Sequence, residues 1–208
     1  GKTMINDIYW ATKAPIGVCG SEVNAKEEDN NNVEKIHNKI YFYAEVSRGK
    51  NLKLNLAINE LSCDLLAAAQ RLNLPDPGSI YLHINSYGGS VFAGFSSVDY
   101  ILNSPVPVTT VVDGCAASAA TIMSVVGKHR QMHNHAYMLI HQLSSGLWGK
   151  YQDLQDKMDN CDRFMEMIIE VYEQHTKIPK KELNKVLKHD LWWDAKKCLE
   201  YGLVDEII

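Results

Sequence analysis

The sequence predicts an α/β fold, a parallel sheet whose strands are joined by crossover helices. Three observations carry this. Short runs rich in β-branched and aromatic residues recur at Lys39–Val46, Ile80–Ile84, Val106–Val112 and Ala136–Ile140. Stretches with apolar residues at three- and four-residue steps lie between them. Proline- or glycine-bearing turns separate the two kinds of segment. The chain has 208 residues, 46% of them apolar, enough for one sizeable core.

Residues 1–38 read as an N-terminal arm, and residues 39–208 as the folded domain. Ile5–Ile16 shows no sustained period, and Ser21–Glu34 is a polar stretch with an asparagine run, the pattern of a solvated, mobile loop. Lys39–Val46 is the first strand of the domain. Leu54, Ile58, Leu61, Leu65 and Leu72 set the apolar stripe of a helix over Leu52–Leu72, which Pro75-Asp76-Pro77-Gly78 ends. Ile80–Ile84 is the second strand. It runs into a tight turn, Asn85–Ser90, and then a helix through about Leu102. Val106–Val112 is the third strand, followed by the small-residue stretch Gly114–Ala120 and an apolar helix. Gln131-Met132 and Ala136–Ile140 supply further strand material. Lys150–His175 contains no Gly or Pro, and Leu154, Met158, Cys161, Met165, Ile168, Ile169 and Tyr172 repeat at helical steps. Thr176–Pro179 breaks that helix. Lys180–Lys188 and Asp194–Tyr201 are short helices, Gly202 ends the second, and Leu203–Ile208 is a closing strand.

Composition narrows the function classes. The formal charge is −4 with no basic block, which argues against nucleic acid as a partner. No run is long and apolar enough for a transmembrane helix, and no secretory signal pattern is present. The five cysteines are scattered, with no Cys-x-x-Cys pair, so neither a disulfide framework nor structural zinc is expected, and a reducing, cytoplasmic location fits. His129, His133 and His135 sit on a polar turn without a neighbouring acid, too weak a pattern for a metal; no metal is expected.

Chemistry gathers at the carboxyl ends of the strands, where sites form in open parallel sheets. Gly88-Gly89, Ser118 and His141 all follow a strand's end. Ser118 is the one polar side chain in Gly114–Ala120. At the mouth of a helix it is placed either to cap the helix or to act as a nucleophile beside free backbone N–H groups. His141 can accept a hydroxyl proton near neutral pH. A carboxylate is needed to hold the other ring nitrogen. Asp190 is the first choice, with Asp113, Asp153 and Asp194 as rivals. Gly89 offers an unhindered N–H for an oxyanion, and the N–H of Ala119, next to the nucleophile, offers the second.

Four motifs occur together: Ile84-Asn85-Ser86-Tyr87-Gly88-Gly89-Ser90, Ala116-Ala117-Ser118, Met138-Leu139-Ile140-His141-Gln142 and Glu200-Tyr201-Gly202-Leu203-Val204-Asp205. Their order and spacing resemble the ClpP family, the proteolytic subunits of the ATP-dependent Clp protease, from about Lys39 to Ile208. The resemblance implies a crotonase-like repeated ββα core with a protruding handle helix at about 150–175. It implies serine endopeptidase activity on unfolded polypeptides through an acyl-enzyme, with Ser118 as nucleophile, His141 as base, Asp190 as third member, and Gly89 and Ala119 as oxyanion donors. It also implies two stacked heptameric rings closed through the handles and fed by a hexameric AAA+ unfoldase. ATP is then used only by that partner, and this chain needs no cofactor. The arm would line the axial pore or dock a partner.

Four positions depart from the family pattern: Tyr87 stands where proline is usual, Ala119-Ala120 where Met-Gly is common, and Leu143 where proline often follows His-Gln. The arm is longer and more polar than the family's pore segment. Divergent ClpP-like phage proteases vary in this way, and for such a protein the location is the host cytoplasm. Two alternatives remain. An inactive ring subunit would need Asp190 or Ala119 to be misplaced. A crotonase-type acyl-CoA enzyme shares the core but usually places glutamates in the site, and none follows the key turns here.

Overall fold

Ten consecutive residues of largely apolar, β-branched or small character form the strand on which the rest assembles. A computed structural model describes residues 9–11, 32–144 and 148–208. Its strands are β1 (Tyr9–Ala11), β2 (Asn32–Ile36), β3 (Lys39–Tyr43), β4 (Ile80–Ser86), β5 (Gly88–Ser90), β6 (Val108–Ala117), β7 (His129–Met132), β8 (Tyr137–Leu139) and β9 (Glu206–Ile207). The helices are α1 (Arg48–Arg71), α2 (Val91–Leu102), α3 (Ala119–Val125), α4 (Tyr151–His175), α5 (Lys180–Val186) and α6 (Ala195–Glu200). The main sheet has seven strands in the order β2-β3-β4-β6-β7-β9, and β8 also pairs with β6. Among the described residues only the β2–β3 hairpin is antiparallel within it. This is the parallel, helix-connected architecture the periodicities predict.

The long strand β6 serves two neighbours in turn. Thr109–Val112 pair with β7, and Cys115–Ala117 pair with β8. The change of partner falls at Gly114, whose φ of +71° turns the strand. Opposite it, the β4 register shifts between Ile84 and Ser86. The stretch Gly114–Ala117, which the sequence places between the third strand and the helix, is therefore strand. Its small residues follow from burial, since Ala116 and Ala117 are fully enclosed between neighbouring strands. The turn itself is compressed to Ser118.

The core lies between the sheet and α1, α2 and α3. Leu54, Ile58 and Leu61 of α1 are buried in one cluster with Phe42, Leu82 and Ile84 of the sheet; each such side chain contributes about 1.5–3 kcal/mol by leaving water. The same face of α1 carries Asn51 and Asn55, also buried. Asn51 Nδ2 donates to Ser97 Oγ (2.8 Å), and Ser97 Oγ donates to Asn55 Oδ1 (2.8 Å), a polar ladder that fixes α1 against α2. The apolar periodicity alone does not show this ladder.

Two differences concern the N-terminal part. Asn32–Ile36 forms a strand of the main sheet, so the ordered sheet begins before Lys39. Tyr9–Ala11 pairs with β5. The expectation of a solvated loop over Ser21–Glu34 falls for residues 21–31 outside the described residues. At the other end, α4 buries only Ile168 and Tyr172, both in its C-terminal half. Leu154, Met158 and Cys161 of the preceding turns lie outside the core. Arg130 ties this region down: its guanidinium grips Asp205 through two hydrogen bonds (3.0 and 2.7 Å) and donates to the His175 carbonyl at the end of α4. No helix among the described residues is long and apolar enough to cross a membrane.

Candidate active site

Ser118 is held in a conformation that L-residues seldom adopt, φ +57° and ψ −125°. The causes are local. Its N–H donates to the Leu139 carbonyl (2.9 Å), which fastens it to the end of β8. Its carbonyl accepts from the Thr121 N–H (2.9 Å) and the Thr121 hydroxyl (2.6 Å), which starts α3. The Thr121 hydroxyl is itself hydrogen-bonded to Tyr172 of α4. A sharp strand-to-helix turn fixed on both sides presents the side chain at its apex. Ser118 makes no side-chain cap to α3. Its hydroxyl is hydrogen-bonded instead to Nε2 of His141.

His141 follows β8 by two residues. The Gln142 N–H donates to the Leu187 carbonyl (2.8 Å), and Met138 exchanges two backbone hydrogen bonds with Trp193 (2.9 and 2.8 Å). These clamps lay the segment after α5 alongside the end of β8. They bring Asp190, distant in sequence, to 3.5 Å from Nδ1 of His141. His141 is buried, whereas the Asp190 side chain is 77% exposed. Burial depresses the pKa of His141 below its usual value, and the Asp190 charge opposes that shift. A neutral imidazole with one nitrogen on a hydroxyl and the other facing a carboxylate is arranged to accept the hydroxyl proton.

The other three carboxylates are engaged elsewhere. Asp153 accepts from the Lys150 N–H (3.1 Å) at the start of α4. Asp194 caps α6 through the Lys197 N–H (2.9 Å). Asp113 sits against His83, His133 and Tyr43. The histidine trio considered from the sequence also separates. His129 pairs with Glu206 (3.0 Å), while His133 joins Asp113.

The two glycines before Ser90 form β5 rather than a simple turn. Gly88 and Gly89 have φ of +101° and +151°. The Val46 N–H donates to the Gly88 carbonyl (2.9 Å), and the Ser90 N–H donates to the Val46 carbonyl (2.7 Å). A Cβ on Gly89 would lie 2.1 Å from the Val46 carbonyl oxygen, so no side chain fits there. Ala119 is the first residue of α3, and its N–H has no acceptor within the helix. Tyr87 is exposed and, with Gly114, Cys115, Tyr137 and Trp192, lines a depression of about 320 Å³ beside β5 and β8. The Thr121–Tyr172 brace behind the nucleophile is absent from the sequence reading. Tyr172 appears there only as one apolar repeat of a long helix.

Comparison with known proteins shows the family. Residues 27–208 match the family described as Clp protease. A protein of Chlamydia pneumoniae named ATP-dependent Clp protease proteolytic subunit 1 is 37% identical over 142 residues, which cover 66% of this chain and 74% of the relative. Its namesake in Chlamydia caviae is 34% identical over 152 residues, covering 71% and 80%. A solved structure of a ClpP1 mutant from Listeria monocytogenes superposes with a TM-score of 0.71 at 22% identity, over 83% of this chain and 91% of that one, a likeness of fold. With residues 27–208 inside the family match, the chain belongs to the Clp protease family and is a Clp-type serine peptidase.

Proposed function

We propose that the chain is an endopeptidase acting on unfolded polypeptides through a Ser118-His141-Asp190 triad. The observation that carries the reading is the hydrogen bond between the Ser118 hydroxyl and Nε2 of a buried histidine whose other nitrogen faces a carboxylate. Ser118 Oγ attacks the scissile carbonyl while His141 takes its proton. Asp190 steadies the imidazolium. The N–H groups of Gly89 and Ala119 receive the oxyanion. His141 then returns the proton to the leaving amine, and an acyl-enzyme on Ser118 is hydrolysed by water along the same route. This chemistry calls for no metal and no cofactor on this chain.

The same reading includes a ring assembly. Two stacked heptamers, closed through α4 and fed by a hexameric AAA+ unfoldase that alone consumes ATP, would enclose these sites in the cytoplasm. It is supported by the family membership and by the apolar repeat Leu154, Met158 and Cys161 on the half of α4 that no core covers.

The decisive experiment pairs peptidase assays and fluorophosphonate labelling with native mass spectrometry of wild type and Ser118→Ala. The expected result is labelling at Ser118 alone and no turnover in the variant, with assembly unchanged. Undiminished turnover in Ser118→Ala would refute the assignment, and a monomeric mass would refute the ring.

A further inference from the structure

The strand β5 has two edges, and both are in use. Val46 takes the Gly88 carbonyl and the Ser90 N–H. Backbone groups of successive strand residues alternate in direction, so the N–H and carbonyl of Gly89 face the opposite edge. That edge is covered by β1, which runs antiparallel with Tyr9 opposite Ser90, Trp10 opposite Gly89 and Ala11 opposite Gly88. The alternation makes Trp10 and Gly89 the pair that exchanges both ladder hydrogen bonds. An extended peptide entering the site would bind this same edge by strand addition, its carbonyl on the Gly89 N–H and its preceding residues running alongside Ser90. The arm runs in that direction, with the Trp10 carbonyl on that donor.

We infer that Tyr9–Ala11 is an internal occupant of the peptide-docking edge, a segment of the chain's own arm that competes with substrate for the backbone of Gly89. The inference rests on the proposed peptidase reading of the site. Tethering makes a weak three-residue pairing effective, because the arm is held near the edge at millimolar effective concentration. Competition of this kind lowers the fraction of sites open to substrate and leaves the catalytic groups untouched, so it raises KM and spares kcat. The arm over these residues then serves as a gate at the active site, in place of the pore-lining role that the family resemblance implies.

Trp10→Pro in the full chain tests this, because proline has no N–H to donate to the Gly89 carbonyl. The expected result is a KM for a short fluorogenic peptide roughly 2- to 10-fold lower than wild type, with kcat unchanged. Trp10→Phe, which keeps the backbone donor, should behave as wild type. Amide hydrogen exchange over residues 86–92 gives a readout that needs no catalysis, and it should be faster in Trp10→Pro. Equal KM and equal exchange in the three proteins would overturn the inference. An intact mass showing wild type cut after Trp10 would also overturn it, the arm then being a consumed substrate. Absence of both turnover and fluorophosphonate labelling would count against the peptidase reading alone, since the exchange result still decides the pairing.

A second inference comes from the cluster around Asp113. His83 on β4, Asp113 on β6 and His133 just after β7 belong to three adjacent strands. His83 Nδ1 lies 3.0 and 2.9 Å from the two Asp113 oxygens, His133 Nε2 lies 3.2 Å from Oδ1, and the ligand atoms lie within 4.8 Å of one another. Ligands about 2.0–2.2 Å from one tetrahedral zinc-like ion stand about 3.3–3.6 Å apart, inside the span of this cluster. Tyr43 donates to Asp113 Oδ2 (2.6 Å) and Tyr41 stacks on the His83 ring (4.6 Å), so carboxylate and imidazole are both oriented from outside. We propose that His83, Asp113 and His133 bind a divalent ion of the zinc class, with open positions toward solvent. Titration of the chelator-treated protein with Co²⁺, then Zn²⁺, should give one site per chain with a visible absorption band that zinc displaces. His133→Ala, at a half-exposed position that folding tolerates, should lose the band and any zinc-induced rise in thermal midpoint. Failure of wild type to bind at about 10 µM metal, or equal binding by His133→Ala, would overturn the site; that concentration is a working scale for an open three-ligand site.

Discussion

Replacing Gly89 with alanine is the most direct test of how the site is built. The added Cβ would stand 2.1 Å from the Val46 carbonyl oxygen and 2.9 Å from its carbonyl carbon. Both are backbone atoms, and Val46 is held to β5 by two hydrogen bonds. Relief to even a 3.0 Å contact requires β5 to move by about 0.9 Å, and the φ of +151° adds strain of order 1–3 kcal/mol. The Gly89 N–H moves with the strand. A displacement near 1 Å costs about 100-fold in rate, and loss of one oxyanion donor costs about 10²–10³ in kcat, or 2.7–4 kcal/mol. The assay is steady-state hydrolysis of a fluorogenic peptide, with the rate of fluorophosphonate labelling at Ser118 as a second measure. Gly78→Ala is the control. It has φ +82° but open space around the added carbon, so it should lose some stability and no activity. A folded Gly89→Ala enzyme with wild-type kcat would show that this amide does not face the reacting carbonyl.

Four further outcomes follow from the same geometry. Burial depresses the pKa of His141, so the neutral base persists into acid, and the acidic limb of kcat/KM should fall below the ordinary histidine value near 6.5. Asp190→Asn removes a charge that raises that pKa, so the limb should move further down while kcat drops; with Asp190 largely exposed at 3.5 Å, about 10-fold is expected, and a limb that moves up would contradict the pairing. Ser118→Gly should unfold at a higher temperature than Ser118→Ala, by about 1 kcal/mol, because only glycine tolerates φ +57° without strain; equal midpoints in thermal melts would argue against a strained turn. Tyr172→Phe takes away the buried partner of the Thr121 hydroxyl and should cost about 1–2 kcal/mol in denaturant unfolding, with kcat also reduced because Thr121 holds the Ser118 carbonyl.

Much of this protein was legible before folding. Local rules act over a few residues, so the β-branched runs, the stripe of α1 and the unbroken α4 identified strands and helices in the right order. Glycine at 88 and 89, serine at 118 and histidine at 141 each follow a strand, and chain order alone marks them as neighbours at one sheet end. The sequence could also name Asp190, but only with rivals beside it. Asp113, Asp153 and Asp194 carry the same carboxylate, and nothing local separates them.

Tertiary structure made that separation by giving each carboxylate a partner: imidazoles and a phenol to Asp113, helix N–H groups to Asp153 and Asp194, and His141 to Asp190. It also decided that β6 runs on to Ala117, because two different strands take up its edge on either side of Gly114. The Asn51–Ser97–Asn55 ladder, the Thr121–Tyr172 brace and the pairing of Tyr9–Ala11 with β5 arise in the same way. Each joins groups far apart in the chain, and a backbone or hydroxyl hydrogen bond leaves no periodic trace in the residues that make it. The sequence by itself determined the helices and most strands of the domain and which residue types meet at the sheet's carboxyl end, but not β1, β2, β5 or the last residues of β6. Which donor meets which acceptor there is a property of distances, and only the folded chain sets those.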